Sequence, residues 1–160
     1  MIDAADYRRA LGQFATGIAV VTTMDGSDQP CGLTVDSFNS VSLDPPLVLW
    51  SLDKRSGQLD AFCSSGFYGV NILAKEQVDI SNLFAGLSDD RFSKVDWEQG
   101  ETGAPLFKDA LVCLDCKTET IIEGGDHLIL LGRVVSIGAK EGEPLLYYAG
   151  GYRELAPSDA

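Results

Sequence analysis

Alternation of apolar and polar positions with a period of two dominates the chain, with only short stretches at helical spacing. Leu114, Cys116, Thr118, Thr120 and Ile122 alternate with Asp115, Lys117, Glu119 and Ile121, and Gly124-Gly125 supplies a positive-φ turn into Leu128 to Ile137, which predicts a long hairpin. Ile18 to Thr23 predicts a strand, and Asp25-Gly26 the turn of a hairpin returning from Pro30 to Thr34. Phe38 to Leu43 predicts another, with Phe38, Ser40 and Ser42 on one face and Asn39, Val41 and Leu43 on the other. Asp44-Pro45-Pro46 imposes an extended break, because a residue before proline is kept out of the helical region. The continuous apolar run Leu47 to Leu52 then predicts a strand buried on both faces. Phe67 to Leu73 and Pro144 to Tyr148 complete the set.

Helical spacing is confined to three places. Asp3 is suited to N-cap a helix running to about Ala15, with Tyr7, Leu11 and Phe14 forming one apolar stripe and Gly17 beyond its end. A short helix is predicted between Ser56 and Ser64, with Leu59, Phe62 and Cys63 inward, and another over Gln77 to Ala85. Gly86 to Gly103 reads as irregular. Six or seven strands with short helices between them do not make the regular βαβ alternation of a doubly wound sheet. An antiparallel barrel with helical excursions fits, in one domain over 1–155 with a frayed tail over 156–160. Side chains fill the interior of such a barrel, so a large planar ligand would sit on its outer wall or at a subunit interface.

The formal charge of −12 repels polyphosphate backbones and anionic lipid, which argues against nucleic acid and membranes as partners. The longest stretch without an ionisable side chain, Ala10 to Met24, is too short and too polar to span a bilayer. Met1 to Asp6 carries two aspartates and no basic residue, which leaves a cytoplasmic location and reduced cysteines as the expectation. In so acidic a chain the sparse cations are informative.

Despite 17 glycines there is no G-x-G, so the Rossmann fingerprint and the P-loop are both absent. With His127 the only histidine, multi-histidine metal sites are excluded and no metal is expected. Cys113 and Cys116 form a C-x-x-C, but residues three apart on a strand face opposite ways, which favours a structural role. Ser51-Leu52-Asp53-Lys54-Arg55-Ser56 leaves a strand for a helix and gathers hydroxyls, two cations and free N–H groups, as a phosphate requires. It is equally an ordinary capped helix start. The second polar strip, Thr34 to Ser40, tips the balance towards a site. His127 beside Asp126 is either a solvated turn residue or functional, and Asn71 is either a satisfied core amide or a ligand contact. Gly150-Gly151-Tyr152-Arg153 suits either a planar heterocycle or a C-terminal turn with a cation–π pair.

The strings RRALGQFATGIAVVTT at 8–23 and GLTVDSFNSVSLDPPLVLWSLDKRS at 32–56 resemble the short flavin reductases that serve two-component flavin-dependent monooxygenases. So do VNIL at 70–73, DRF at 90–92, GAPLF at 103–107, GDH at 125–127 and PLLYYAGGYREL at 144–155. The resemblance implies a mainly β, antiparallel, Greek-key-like FMN-binding split β-barrel. It further implies a homodimer with flavin near the interface, and a hydride passed from NADH or NADPH to FMN or FAD for a partner monooxygenase.

Carried over by position, Gly32, Leu33, Thr34, Val35, Asp36 and Ser37 lie along the isoalloxazine and ribityl chain. Ser40, Ser51, Leu52, Asp53, Lys54 and Ser56 hold the ribityl and phosphate groups, and Asn71, Arg91 and Phe92 add flavin-side contacts. His127 faces the nicotinamide as the catalytic residue, and Tyr152 and Arg153 close the same pocket. Asp36 departs from the asparagine more usual there. Hydride transfer needs no strong acid or base, only donor and acceptor held about 3 to 3.5 Å apart, which a chain with one histidine can provide. The competing readings are a flavin-binding electron carrier on the same barrel and a non-enzymatic binding module. No cation cluster for a 2′-phosphate is evident, which favours NADH.

Overall fold

A computed structural model describes residues 1–157. In chain order the elements are α1 (Ala4–Leu11), β1 (Thr16–Gly17), β2 (Ala19–Met24), β3 (Pro30–Val35), β4 (Asn39–Leu43), β5 (Pro46–Asp53), α2 (Leu59–Ser64), β6 (Phe67–Ile72), α3 (Val78–Ala85), β7 (Trp97–Gln99), β8 (Pro105–Phe107), β9 (Val112–Gly124), β10 (His127–Ala139), β11 (Leu146–Tyr148) and β12 (Gly151–Arg153). Seven strands form the main sheet in the order β3-β2-β6-β9-β10-β5-β4, with every neighbouring pair antiparallel. The mainly β, antiparallel architecture expected from the alternation is what the chain forms.

The edges of this sheet explain its curvature. β3 and β4 stand at opposite edges yet are consecutive in the chain, joined only through Asp36–Phe38. Laid flat, seven strands would put their edges about 29 Å apart at the usual ~4.8 Å spacing. The four Cα steps from Val35 to Asn39 reach at most about 14 Å. The sheet therefore curls until its edges approach. Val21 of β2 and Trp50 of β5, with three strands between them in the order, consequently share one interior cluster with Phe62, Tyr68, Val70, Leu114, Cys116 and Leu130. Trp50 meets Phe62 and Tyr68 edge-on, with ring centroids 4.9 and 5.8 Å away. Gly132 on β10 has to be glycine, because a Cβ there would strike the Tyr68 hydroxyl.

A second cluster lies on the other side of β2, where Ile18 and Val20 pack with Leu73, Phe84, Phe107, Ala110 and Leu145. Strand parity sends Val20 to this cluster and Val21 to the interior. The same parity separates Cys113, packed against the outer cluster, from Cys116 inside. Burial pushes the Cys116 thiol up to about 12 and that of Cys113 upward, so both remain protonated thiols at neutral pH.

Several expectations need correction. The strand expected to be buried on both faces, β5, buries only Val48, Trp50 and Leu52, while Leu47 and Leu49 on its outer face stay half-exposed. α1 keeps its Asp3 cap, whose carboxylate accepts from Ala5 N and Asp6 N, but stops at Leu11 rather than Ala15. Gln13 N and Phe14 N bond back only three residues, to Ala10 O and Leu11 O, which tightens the chain out of the α-helix. The stripe of Tyr7, Leu11 and Phe14 is exposed. In α2 only Phe62 is buried, and Cys63, expected inward, is exposed. The irregular section contains a single 3₁₀ turn, Phe92–Lys94, and the strand β7, which pairs with β8. Of the tail, 158–160 lie outside the described residues.

Candidate functional site

β3 pairs with β2 on one side only, so its other edge is free. Leu33 and Val35 face the barrel interior, which leaves only their backbone for a ligand. Gly32 lies so close to β2 that a Cβ would stand 2.9 Å from Val21 O. Its own carbonyl accepts from Gln58 Nε2 at 2.9 Å and Arg91 Nη1 at 3.1 Å, which puts it on the free edge. The ladder's alternation places the N–H and C=O of Thr34 on the same edge. Further along, Ser51 N donates to Ser37 Oγ at 3.0 Å, and that hydroxyl donates to Ser51 O at 3.3 Å. The gap between β3 and the β5–α2 segment is thus bridged at Ser37–Ser51 and again at Gly32–Gln58. Buried beside it, Gln58 Oε1 has no partner among the described residues.

On its outer side, Thr34 Oγ1 donates to Ser81 O of α3 at 2.7 Å. A cleft of about 260 Å³ opens there, lined by Ile18, Thr34, Asp36, Ser81, Tyr147 and Tyr152. Asp36 and Tyr147 also line an adjoining cleft of about 460 Å³ that extends to Arg8 and Phe14. Tyr152 Oη makes 2.9 Å hydrogen bonds to Ser81 Oγ and Asn82 Oδ1, and its ring meets Tyr147 edge-on at 5.6 Å. Arg153 is exposed and donates to Tyr152 O at 2.8 Å.

Arg91 and Phe92 act here through the scaffold. Besides Gly32 O, Arg91 Nη1 donates to Gly86 O at 3.2 Å and Phe84 O at 3.4 Å, with its guanidinium 5.7 Å from the Phe84 ring centroid. Phe92 packs against Phe84, Trp97 and Phe107. Arg91 thus ties the β3 edge to α3 and the segment after it, and Phe92 lies against Gly32.

At the end of β5 the segment rich in hydroxyls and cations lies against the hairpin turn. Leu52 is fully buried and offers only backbone. The Asp53 carboxylate accepts from Arg55 Nη2 at 2.7 Å, Nε at 3.1 Å and N at 2.8 Å, and that guanidinium holds the carboxyl well below the usual carboxylate range. Lys54 N donates to Asp126 O at 3.0 Å, while its Nζ reaches Gly125 O at 2.7 Å and the Glu123 carboxylate. Ser56 Oγ accepts from Gln58 N at 3.2 Å, and Ser40 is exposed on β4 opposite Val48. His127 begins β10 opposite Asp53, with Nδ1 2.7 Å from Asp126 Oδ1. The imidazole depresses the Asp126 carboxyl. Since a carboxylate only accepts, the proton sits on Nδ1 and Nε2 is left open.

Two expectations are not met. Asn71 is fully buried, with Nδ2 donating to Val20 O at 3.1 Å and Thr22 Oγ1 at 3.2 Å. Its Oδ1 accepts from Phe107 N at 2.7 Å and Cys113 Sγ at 3.5 Å, so every polar atom is engaged and it is a core amide, not a ligand contact. Tyr152 and His127 do not close one pocket through contacts within this chain: Tyr152 bonds to α3 beside Thr34, and His127 bonds to Asp126 against Asp53. Gln58, Ser81, Asn82 and Glu123 are brought to the site without any signal in the sequence, since each arrives through a partner distant in the chain.

Residues 11–156 match the family described as the flavin reductase like domain. The chain is 42% identical over 153 residues to the reductase component of the flavin-dependent trigonelline monooxygenase of Acinetobacter baylyi, covering 96% of this chain and 49% of that one. It thus spans about half the length of that relative. It is 37% identical over 146 residues to the FMN reductase (NADH) SmoA of Agrobacterium fabrum, covering 91% of this chain and 83% of that one. Among solved structures, it is similar to the Streptomyces globisporus NADH:FAD oxidoreductase SgcE6 in complex with NAD and FAD fragments. That structure aligns with a TM-score of 0.92 at 37% identity, covering 100% of this chain and 99% of that one.

Proposed function

Because this chain belongs to the flavin reductase like domain family, we propose that it is an NAD(P)H-dependent flavin reductase working through one domain over 1–155. It takes FMN, with FAD as the alternative, and NADH in preference to NADPH. The observation that carries this reading is the edge of β3 that no strand pairs, where Thr34 presents its backbone N–H and C=O beside a tyrosine-lined cleft while Gly32 O is held by Gln58 and Arg91. The residues fit a flavin. The edge N–H and C=O groups match an amide-like ring, the orphaned Gln58 Oε1 is an acceptor awaiting a donor, and Lys54 suits a phosphate. The relatives' names support it: one is an FMN reductase (NADH) and another an NADH:FAD oxidoreductase.

When bound, the flavin supplies the two-electron acceptor that the side chains lack. Gly32 to Ser37 orient it through backbone and the Thr34 side, and Ser40, Ser51, Asp53, Lys54 and Ser56 form the ribityl and phosphate end. Arg91 and Phe92 hold β3 in place. His127, aligned by Asp126, presents Nε2 to the nicotinamide, and Tyr152 and Arg153 shield the outer cleft from water. The transfer requires these groups to position rather than to ionise.

The protein works as a homodimer with flavin near the interface. Leu49 stands opposite Leu131 and Ile129 opposite Ile122, forming an apolar row on the outer wall, and the α1 stripe is similarly uncovered. Reduced flavin passes to a monooxygenase partner, consistent with the relative named as such a reductase component. The location is cytoplasmic. No helix among the described residues is long and apolar enough to cross a membrane. The test is NADH and NADPH oxidation with and without added FMN or FAD, after recording the visible spectrum. Rapid oxidation that depends on added flavin is expected; a yellow protein that oxidises neither nucleotide is an electron carrier, and a colourless inert one is a binding module.

A further inference from the structure

The cations at the phosphate end are not free. Arg55 is gripped by Asp53 through two side-chain hydrogen bonds. Lys54 Nζ is shared between Gly125 O and the Glu123 carboxylate. Glu123 sits two residues before the turn on β9, opposite Leu128, and its side chain is 77% exposed. Around this point Asp53, Glu123 and Asp126 supply three carboxylates against the two cations Lys54 and Arg55, with His127 adjoining. A phosphate dianion arriving at Lys54 meets a site already over-supplied with negative charge.

Resting on the reading of Lys54 as the phosphate ligand, we propose that Glu123 is an internal counter-ion that competes with the flavin phosphate for Lys54. It thereby lowers the preference of the site for phosphorylated over unphosphorylated flavin. Before phosphate binds, the Glu123 carboxylate and Gly125 O keep the ammonium hydrogen-bonded and pinned to the hairpin. On binding, Lys54 Nζ has to turn from Glu123 or share itself between two anions, and either lowers the gain from the charge-assisted bond. Asp53 plays no equivalent part, because its bidentate hold on Arg55 is local to one short loop. Glu123 reaches across from another strand and bears on the one cation that faces both the turn and the phosphate end.

The experiment measures FMN and riboflavin affinity by flavin fluorescence quenching in the full chain, for the native sequence, Glu123→Gln and Lys54→Met. Glu123→Gln should tighten FMN about two- to five-fold, the range set by an exposed ion pair, and leave riboflavin unchanged. The gain should shrink in high salt. If Glu123→Gln leaves FMN unchanged, or tightens both flavins equally, while Lys54→Met weakens FMN alone, the phosphate reading stands and the counter-ion proposal falls. If Lys54→Met affects FMN and riboflavin alike, the phosphate reading itself is wrong and the proposal goes with it.

Discussion

The barrel interior and the end of β5 beside the β9–β10 turn are built from the same strands, yet they are held by different physics. Trp50 and Asp53, three residues apart on β5, belong one to each. Trp50 is closed in by aromatic and aliphatic neighbours, so its contribution comes from area removed from water and from shape. Asp53 is held by hydrogen bonds to an exposed arginine, in a medium that screens charge. The first region loses much when one side chain is shortened. The second loses little stability with any one change and so is free to exchange partners for a ligand.

Variants can break or sharpen this contrast. Trp50→Ala should have the largest effect, costing about 3–5 kcal/mol as a large-to-small core change, read by urea unfolding. A loss below about 1 kcal/mol would mean that the interior is not the close-packed core described. Asn71→Ala leaves Phe107 N without its acceptor and should cost about 1–3 kcal/mol while flavin affinity stays unchanged. A selective fall in flavin affinity would restore Asn71 to the ligand site. His127→Ala should leave stability near the native value and slow flavin reduction or raise the nicotinamide KM by about two- to ten-fold, the worth of one hydrogen bond, without weakening flavin. Equal loss of flavin binding would remove its assigned role.

The smallest effect is on pH dependence. The Asp53 and Asp126 carboxyls are depressed below the ordinary 3.8 by Arg55 and His127 respectively. A depressed carboxyl contributes stability that is present above its unfolded value and lost as pH falls through its folded value, so any loss appears only below about pH 4. The Asp126 side chain is solvent-exposed, so Asp126→Asn should barely move an acid-unfolding curve. A large shift would show that the turn is buried, for instance by a second subunit.

Much of the β framework was legible because strand parity is local. The alternation at Leu114 to Ile122 marks the hairpin, and the spacing of Cys113 and Cys116 already keeps them apart. The short strands β7, β8 and β12 are too brief to show a period. Leu47 to Leu52 misled because a continuous apolar run states that side chains are hydrophobic, not whether the outer face is covered. Of the candidate site, the residues around Gly32 and Lys54 carry a signal only through family resemblance, whereas the contacts of Asn71, Arg91 and Phe92 are set by partners distant in the chain.

The sequence by itself determined the antiparallel class, the hairpin turns and the chemical poverty of the chain: one histidine, no phosphate loop and few cations. Those follow from periodicity and composition, which act over neighbouring residues. Only the tertiary structure decided that β3 and β4 become opposite edges drawn together by Asp36–Phe38, and that Lys54 meets Glu123, 69 residues away in the chain. Curling the sheet makes these contacts, and no local pattern encodes how far a sheet curls, because that depends on the whole interior being filled at once.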